Sequence, residues 1–369
     1  MTELPPAQAL MKSIIGRIAT GPELSKNISR EEARDGMAAI LAGEIDPIQI
    51  GIFFIALRMK RETDDEYLGI LDALAGASDL ATAEVDDVAI LGDPFDGYNR
   101  CLPAAPFLPP LLAACGLPTV STGVDLLGPK YGVTHRRILA AASIPVGRSA
   151  QEAAAELSRS GWAYCDQASY APSLHALLPV RRQIIKRTPL TTTETLARPV
   201  AGRLRTHYLS GYVHAPYPRI YALLARAAGF ASASIVRGVE GGFIPSLRQS
   251  GRVVRYTDFG IEEAVEFNPA EIGIQQNVRA PLLPGEGEAA EAEVEKAAFD
   301  ADTVARLAAD AGVAALQGQA GASYDALVIG AAIALWNCGT VDSLAAGAAA
   351  ARQALDSGAA WQRFAAQRA

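Results

Sequence analysis

The sequence predicts an α/β protein in two parts, a small all-helical N-terminal domain and a large α/β domain with a mainly parallel sheet. Three observations predict it. Up to about residue 76 the apolar positions recur at helical spacing with no strand-like alternation. From Val85 onward, short apolar runs alternate with glycine and proline turns and alanine-rich stretches, the pattern of strands joined by crossover helices. The chain has 369 residues, half of them apolar, which is enough to bury a sizeable core and to form two domains, or one large domain with a smaller appendage. The division is expected at 1–76 for the helical part and 77–369 for the rest.

The helical part is read from its start signals. Ser29 and Glu32 in SREEA form a capping box, in which each side chain satisfies a free amide at the helix start. That helix carries Ala33, Met37, Ile40 and Leu41 on one face and stops near Gly43. Asp46 followed by Pro47 marks the next start, since proline at the first helical position gives up an amide that has no partner anyway. The helix from Pro47 to Met59 is apolar on most sides and is expected to be buried. Thr63 with Glu66 repeats the box and opens a helix through Leu74. In the second part, Val88–Leu91, Pro118–Ser121, the residues around Tyr164, Leu204–Tyr212, Ala233–Arg237 and Val253–Tyr256 are expected strands. The closing segment, Tyr324–Ala366, reads as helical, its alanines reflecting helix propensity and close packing.

Composition narrows the function classes. The longest apolar run, Ile50–Leu57, is too short to span a bilayer, and the N-terminus has no basic stretch followed by an apolar one, so a cytoplasmic location is expected and no membrane partner. Cys101, Cys115, Cys165 and Cys338 are scattered without a CxxC pair, which predicts buried free thiols and no zinc site. The net charge of -7 is unevenly spread: from Lys130 to Asp258 there are 18 lysines and arginines against 6 aspartates and glutamates. An anionic partner is expected on that segment. Gly285–Asp302 is strongly acidic and reads as a solvated loop entering a helix.

LSKNISREEARDGMAAILAGEIDPIQIGIFFIALRMKRET resembles the helical entry domain of the anthranilate phosphoribosyltransferase family, glycosyltransferase family 3. YAPSLHALLPVRRQIIKRT is similar to the segment joining that family's domains, YLSGYVHAPYPRIYALLARAAGFASASIVRGVEGG continues the resemblance, and LWNCGTVDSLAAGAAAARQALDSGAA resembles its closing helices. The match spans most of the chain in order. It implies a nucleoside phosphorylase or phosphoribosyltransferase-like fold, with residues 170–190 packed near the helical domain, and a homodimer formed through that domain. The apolar residues Ile48, Phe53 and Phe54 would serve such a dimer or simply pack within the domain.

The resemblance also implies a set of site residues, several of which depart from the family pattern. The glycine-rich turn that cradles pyrophosphate, GTGGDG with an asparagine after it, corresponds to Gly92, Asp93, Pro94, Phe95, Asp96, Gly97 and Asn99. Proline removes an amide donor there, and Asp93 adds negative charge. The KHGNR motif corresponds to Ser121, Thr122, Gly123, Val124 and Asp125, of which Gly123 persists. Nearby, Lys130, His135, Arg136 and Arg137 either grip a phosphate or decorate a helix start. The metal turn, HGLDGLDE in the family, corresponds to Arg237–Ile244, with Phe243 and Ile244 in place of both carboxylates, while Glu240 remains. Magnesium is therefore the cofactor that the family implies, but with its usual ligands missing. Arg181 corresponds to the arginine near the acceptor carboxylate, accompanied by Arg182, Lys186, Arg187 and a looser match at His175. On a helix, Arg182 and Lys186 would share a face.

Two functions follow as expectations. The first is a pentosyl or phosphoribosyl transferase with a degenerate donor and magnesium site, distinct from the standard tryptophan-pathway enzyme and binding a phosphorylated sugar or other anionic small molecule. The alternative is a non-catalytic protein, like a divergent branch of the family, that binds single-stranded nucleic acid in a basic interdomain groove.

Overall fold

The computed structural model describes residues 4–21, 23–284 and 300–368. Four helices open the chain: α1 (Pro6–Ile18), α2 (Arg30–Leu41), α3 (Pro47–Lys60) and α4 (Asp64–Gly76). Both capping boxes form, Ser29 with Glu32 and Thr63 with Glu66. Glu66 does more than cap: its fully buried carboxylate accepts the Thr63 N–H at 2.8 Å and the Ile28 N–H at 3.0 Å, and pairs with Lys60 at 2.6 Å. Gly69 lets α4 lie directly on α2, where a Cβ would stand 2.7 Å from that of Ala33.

The expectation that the third helix, apolar on most sides, is buried needs correction. Ile50, Phe53, Phe54 and Leu57 are buried, while Ile48 and Met59 are 78% and 76% exposed and Ile52 is exposed as well. Spacings of four and seven residues place Ile48, Ile52, Ile55 and Met59 on the face opposite the core. Ile48 therefore does not share a surface with Phe53 and Phe54, whose rings meet edge to face at 5.5 Å inside the bundle.

The second part is a seven-stranded sheet beside a two-stranded ladder. In chain order the strands are β1 (Ala81–Thr82), β2 (Asp87–Leu91), β3 (Thr119–Gly123), β4 (Trp162–Asp166), β5 (Val200–Ala201), β6 (Arg205–Tyr212), β7 (Ser232–Arg237), β8 (Gly251–Tyr256) and β9 (Glu263–Phe267). β1 pairs with β5, and the large sheet runs β4-β3-β2-β6-β7-β8-β9, parallel from β4 to β7 and antiparallel at β8 and β9. All six expected strands are present. β9, unforeseen, carries two exposed glutamates, Glu263 and Glu266, at the sheet edge and lacks the apolar run of a buried strand.

The sheet is covered on both faces. Ala89 and Leu91 face the closing helices, while Val88 and Ile90 face a core continuous with the helical bundle. The alanine-rich tail forms three helices, Ala322–Asn337, Leu344–Asp356 and Ala359–Ala365. The acidic stretch lies mostly outside the described residues, which resume at Asp300, the N-cap of the helix Ala301–Leu316. All four cysteines are free, three buried and Cys115 half-buried. Strand order reverses between β2 and β6, and the crevice beyond the carboxyl ends at such a switch point is where open α/β sheets bind ligands.

Candidate functional site

The loop after β2 reaches that crevice and is organised by carboxylates. Gly92 continues the strand, its N–H donating to Leu209 at 2.8 Å and its carbonyl accepting the Ser210 hydroxyl at 2.6 Å. Asp93 follows, 1% exposed. Its Oδ1 accepts the backbone N–H of Phe243 at 2.7 Å, and its Oδ2 accepts the Tyr98 hydroxyl and meets His135 Nε2 at 3.0 Å. Burial, then the negative charge of Asp93, raises the Tyr98 pKa well above its ordinary value, so the phenol stays protonated and donates.

Gly97 closes the turn at φ +79°, where a Cβ would stand 2.6 Å from the Gly132 carbonyl. The bare backbone there lets Tyr98 exchange hydrogen bonds with Val133, at 3.0 and 2.9 Å, and ties the β2 loop to the loop after β3. Asp96, 2% exposed, accepts two bonds from Arg187, at 2.7 and 3.1 Å. Glu240, in a left-handed conformation at φ +53°, accepts the N–H groups of Asn99 at 3.0 Å and Arg100 at 2.8 Å. Burial and then Glu240 raise the Cys101 thiol well above its ordinary pKa. Lys130 sits among these groups, donating to the carbonyls of Gly97 at 2.7 Å and Glu240 at 3.2 Å.

The remaining expected residues fall into separate arrangements. Arg136 spans Asp166 at 3.1 Å and Asp125 at 3.2 Å, and Arg137 spans Asp125 at 3.0 Å and Asp302 at 2.7 Å. Arg181 is buried against Glu194 in a bidentate pair at 2.6 and 2.7 Å, and Gln167 donates to the same carboxylate at 3.2 Å. The helix bearing Arg181 ends at Ile184, and Ile185 turns left-handed at φ +64°. Arg182 and Lys186 therefore do not share a helical face, contrary to the sequence expectation. Both are exposed, with no ion pair among the described residues. Gly123 ends β3 beside the Tyr164 hydroxyl, and His175 lies half-buried at the end of a short helix, its Nδ1 unpartnered.

Gly97, Asp96, Asn99, Lys130 and Arg187 thus meet in one network, joined through the loop to Asp93 and His135. Arg136 with Arg137, and Arg181, belong to two other groups of ion pairs. Sequence reasoning missed the partners Tyr98, Asp166 and Glu194, and the pairing of Asp125 and Asp302 with these arginines. Asp166 and Glu194 carried a usable signal, being two of only six acids in the basic segment. Among the described residues, no cluster of three or more histidines, cysteines, aspartates and glutamates could hold a metal ion.

A helical bundle set on a mainly parallel α/β sheet, with loops converging at the switch point, is the architecture of the phosphoribosyltransferase-like glycosyltransferases. The model of the glycosyl transferase family's helical bundle domain matches residues 12–78, and that of its α/β domain matches residues 85–361. The chain belongs to glycosyltransferase family 3, the family of the anthranilate phosphoribosyltransferases. It is 29% identical over 356 residues to the anthranilate phosphoribosyltransferase of a Chelativorans species, covering 94% of each chain. To that of Rhodopseudomonas palustris it is 28% identical over 353 residues, covering 95% of this chain and 94% of the other. The Thermus thermophilus enzyme superposes with a TM-score of 0.73 at 21% identity, covering 97% of this chain and 98% of that one. The Saccharomyces cerevisiae enzyme, solved in complex with phosphoribosyl pyrophosphate and magnesium, gives 0.73 at 13% identity, covering 98% and 97%.

Proposed function

We propose that this protein is a phosphoribosyltransferase-like glycosyltransferase with a donor site rebuilt from internal ion pairs, and that it does not perform the ordinary magnesium-dependent transfer to anthranilate. The observation that carries this reading is Asp93, a buried carboxylate that already takes the Phe243 N–H, the Tyr98 hydroxyl and His135 in the turn corresponding to the pyrophosphate cradle. A second anion about 4 Å away would meet repulsion of roughly 4 kcal/mol at an effective dielectric near 20. The same substitution of inner for outer partners recurs at Arg181, Arg136 and Arg137.

Magnesium does not fit the residues present. It draws hard oxygen ligands. Phe243 is instead wholly buried in the apolar core with its N–H given to Asp93, Ile244 packs against that core, and the Glu240 carboxylate is taken by two backbone amides. Of the cations expected to serve a phosphorylated sugar or other small anion, Arg182, Lys186 and the 41%-exposed side chain of Arg187 remain accessible.

Calorimetric titration with phosphoribosyl pyrophosphate, with and without magnesium on one sample, tests the reading. Binding that ignores magnesium and weakens about tenfold in Arg187→Ala is expected, the loss of one charge-assisted bond. Tight binding that requires magnesium would overturn it. The nucleic-acid alternative needs free basic charge, and most of the central segment's arginines near the crevice are paired. A single-stranded oligonucleotide bound tightly and lost steeply with salt would revive it.

For the homodimer we propose the exposed face of α3 as the contact, because Ile48, Ile52 and Ile55 line an apolar groove there with Val180 and Ile184. Light scattering at micromolar concentration should give twice the 38.7 kDa chain mass, and a monomer would count against this contact. No helix among the described residues is long and apolar enough to cross a membrane, and a cytoplasmic location remains the proposed one.

A further inference from the structure

The geometry points to Lys130 as a tethered cation, an ammonium that occupies an oxygen cage and holds three loops together where a free ion would otherwise be needed. The inference rests on the reading that magnesium is not accommodated, but its test uses no donor and so can fail independently.

The cage is made by groups from the loops after β2 and β7. The carbonyls of Gly97 and Glu240 accept from Lys130 Nζ at 2.7 and 3.2 Å. The carboxylates of Glu240 and Asp96 stand at 3.6 and 3.9 Å. The Tyr98 ring closes one side, its centroid 5.7 Å from the nitrogen. Lys130 comes from a third loop, after β3, whose own carbonyl at that residue accepts the Asn99 amide at 3.1 Å. Two carbonyls and two carboxylates around one positive centre are the donors a hard cation would take. A side chain supplies that charge at a fixed local concentration, so the loops are ordered without drawing an ion from solution.

Two features are explained together. The left-handed backbone of Glu240, unfavourable for a residue with a Cβ, brings both its carbonyl and its carboxylate to the same nitrogen. Asp96, nearly buried, gains a second cation besides Arg187 and is not left with a single half-exposed partner.

The test is rescue by an untethered ion. Lys130→Ala removes the stem and the charge, leaving room for a small cation, whereas Lys130→Met fills the stem volume without charge. Melting temperature is measured in ammonium chloride, and separately in magnesium chloride, against tetramethylammonium chloride at matched ionic strength. We expect both variants to melt below the wild type, ammonium to restore at least half of the loss in Lys130→Ala while magnesium does not, and neither salt to help Lys130→Met or the wild type. Should Lys130→Ala not fold in tetramethylammonium, refolding yield from urea in each salt gives the same reading. Equal behaviour of the two variants in all salts, or no restoration beyond the tetramethylammonium control, would overturn the inference.

Discussion

At the scale of single residues, this protein is notable for carboxylates spent on its own interior. Arg181 and Glu194 are the clearest case, with side chains 5% and 0% exposed and two bonds between them. Removing one partner strands a buried charge, at a cost of about 3–5 kcal/mol, while replacing both with apolar groups is often close to neutral. Arg181→Met and Glu194→Leu are therefore each expected to lower stability by about that amount in urea denaturation, and the double variant to recover most of it. Additive losses would show that the two side chains do not act as a pair. His207 offers a second residue-level expectation. Buried beside Ser232, at 2.8 Å from its hydroxyl, it has a pKa lowered from the ordinary 6.5 chiefly by desolvation. As pH falls, the unfolded chain takes the proton first, so the stability held above about 6.5 is lost as pH drops through that value toward the folded pKa. Calorimetry between pH 7.5 and 5.5 should show a loss in the wild type that shrinks in His207→Gln; identical pH slopes would remove His207 from the account.

At the scale of elements, the local signals were legible and the distant ones were not. Both capping boxes could be read because their partners stand three residues apart, and both form. What could not be read is that Glu66 also reaches the Ile28 amide, 38 residues away, and Lys60. The box and this buried junction separate experimentally. Thr63→Ala should cost about 1 kcal/mol, as caps do, and Glu66→Ala about 3–5 kcal/mol, because Lys60 loses its partner in a site only 5% exposed. Chemical denaturation of the two variants measures both, and equal costs would reduce Glu66 to a capping residue. The same limit applied at the crevice. The turn from Gly92 to Asn99 was found by its resemblance, but the Asp93 contact with Phe243 joins residues 150 apart, and only folding brings them together. β9 escaped notice for a different reason: an edge strand needs apolar residues on one face only.

At the scale of the whole molecule, the sheet separates two cores, one shared with the helical bundle and one beneath the closing helices. Alternate residues of β2 point into different cores, Val88 and Ile90 toward the helical bundle and Ala89 and Leu91 toward the closing helices. The strand thus couples both bodies to the loop that follows it. An ion pair between Asp64 of α4 and Arg219, at 2.6 Å, adds a surface tie between the parts, and Arg219 holds the Asp64 carboxyl below its ordinary pKa. Being half-exposed on both sides, it contributes about 0–1 kcal/mol at most.

The antiparallel end of the sheet bears on how copies of the protein keep apart. Among the described residues no strand pairs with the outer side of β9, which is a template on which a strand from another molecule could dock. Glu263 and Glu266 are exposed along it, and Pro269 stands two residues beyond its end. Glu263 is paired with Arg255 at 2.7 Å, so Glu266 is the charge that repels its counterpart in an edge-to-edge register, and the proline cannot donate to a continuing ladder. The last strand therefore finishes the sheet and also guards it against polymerising through its open border.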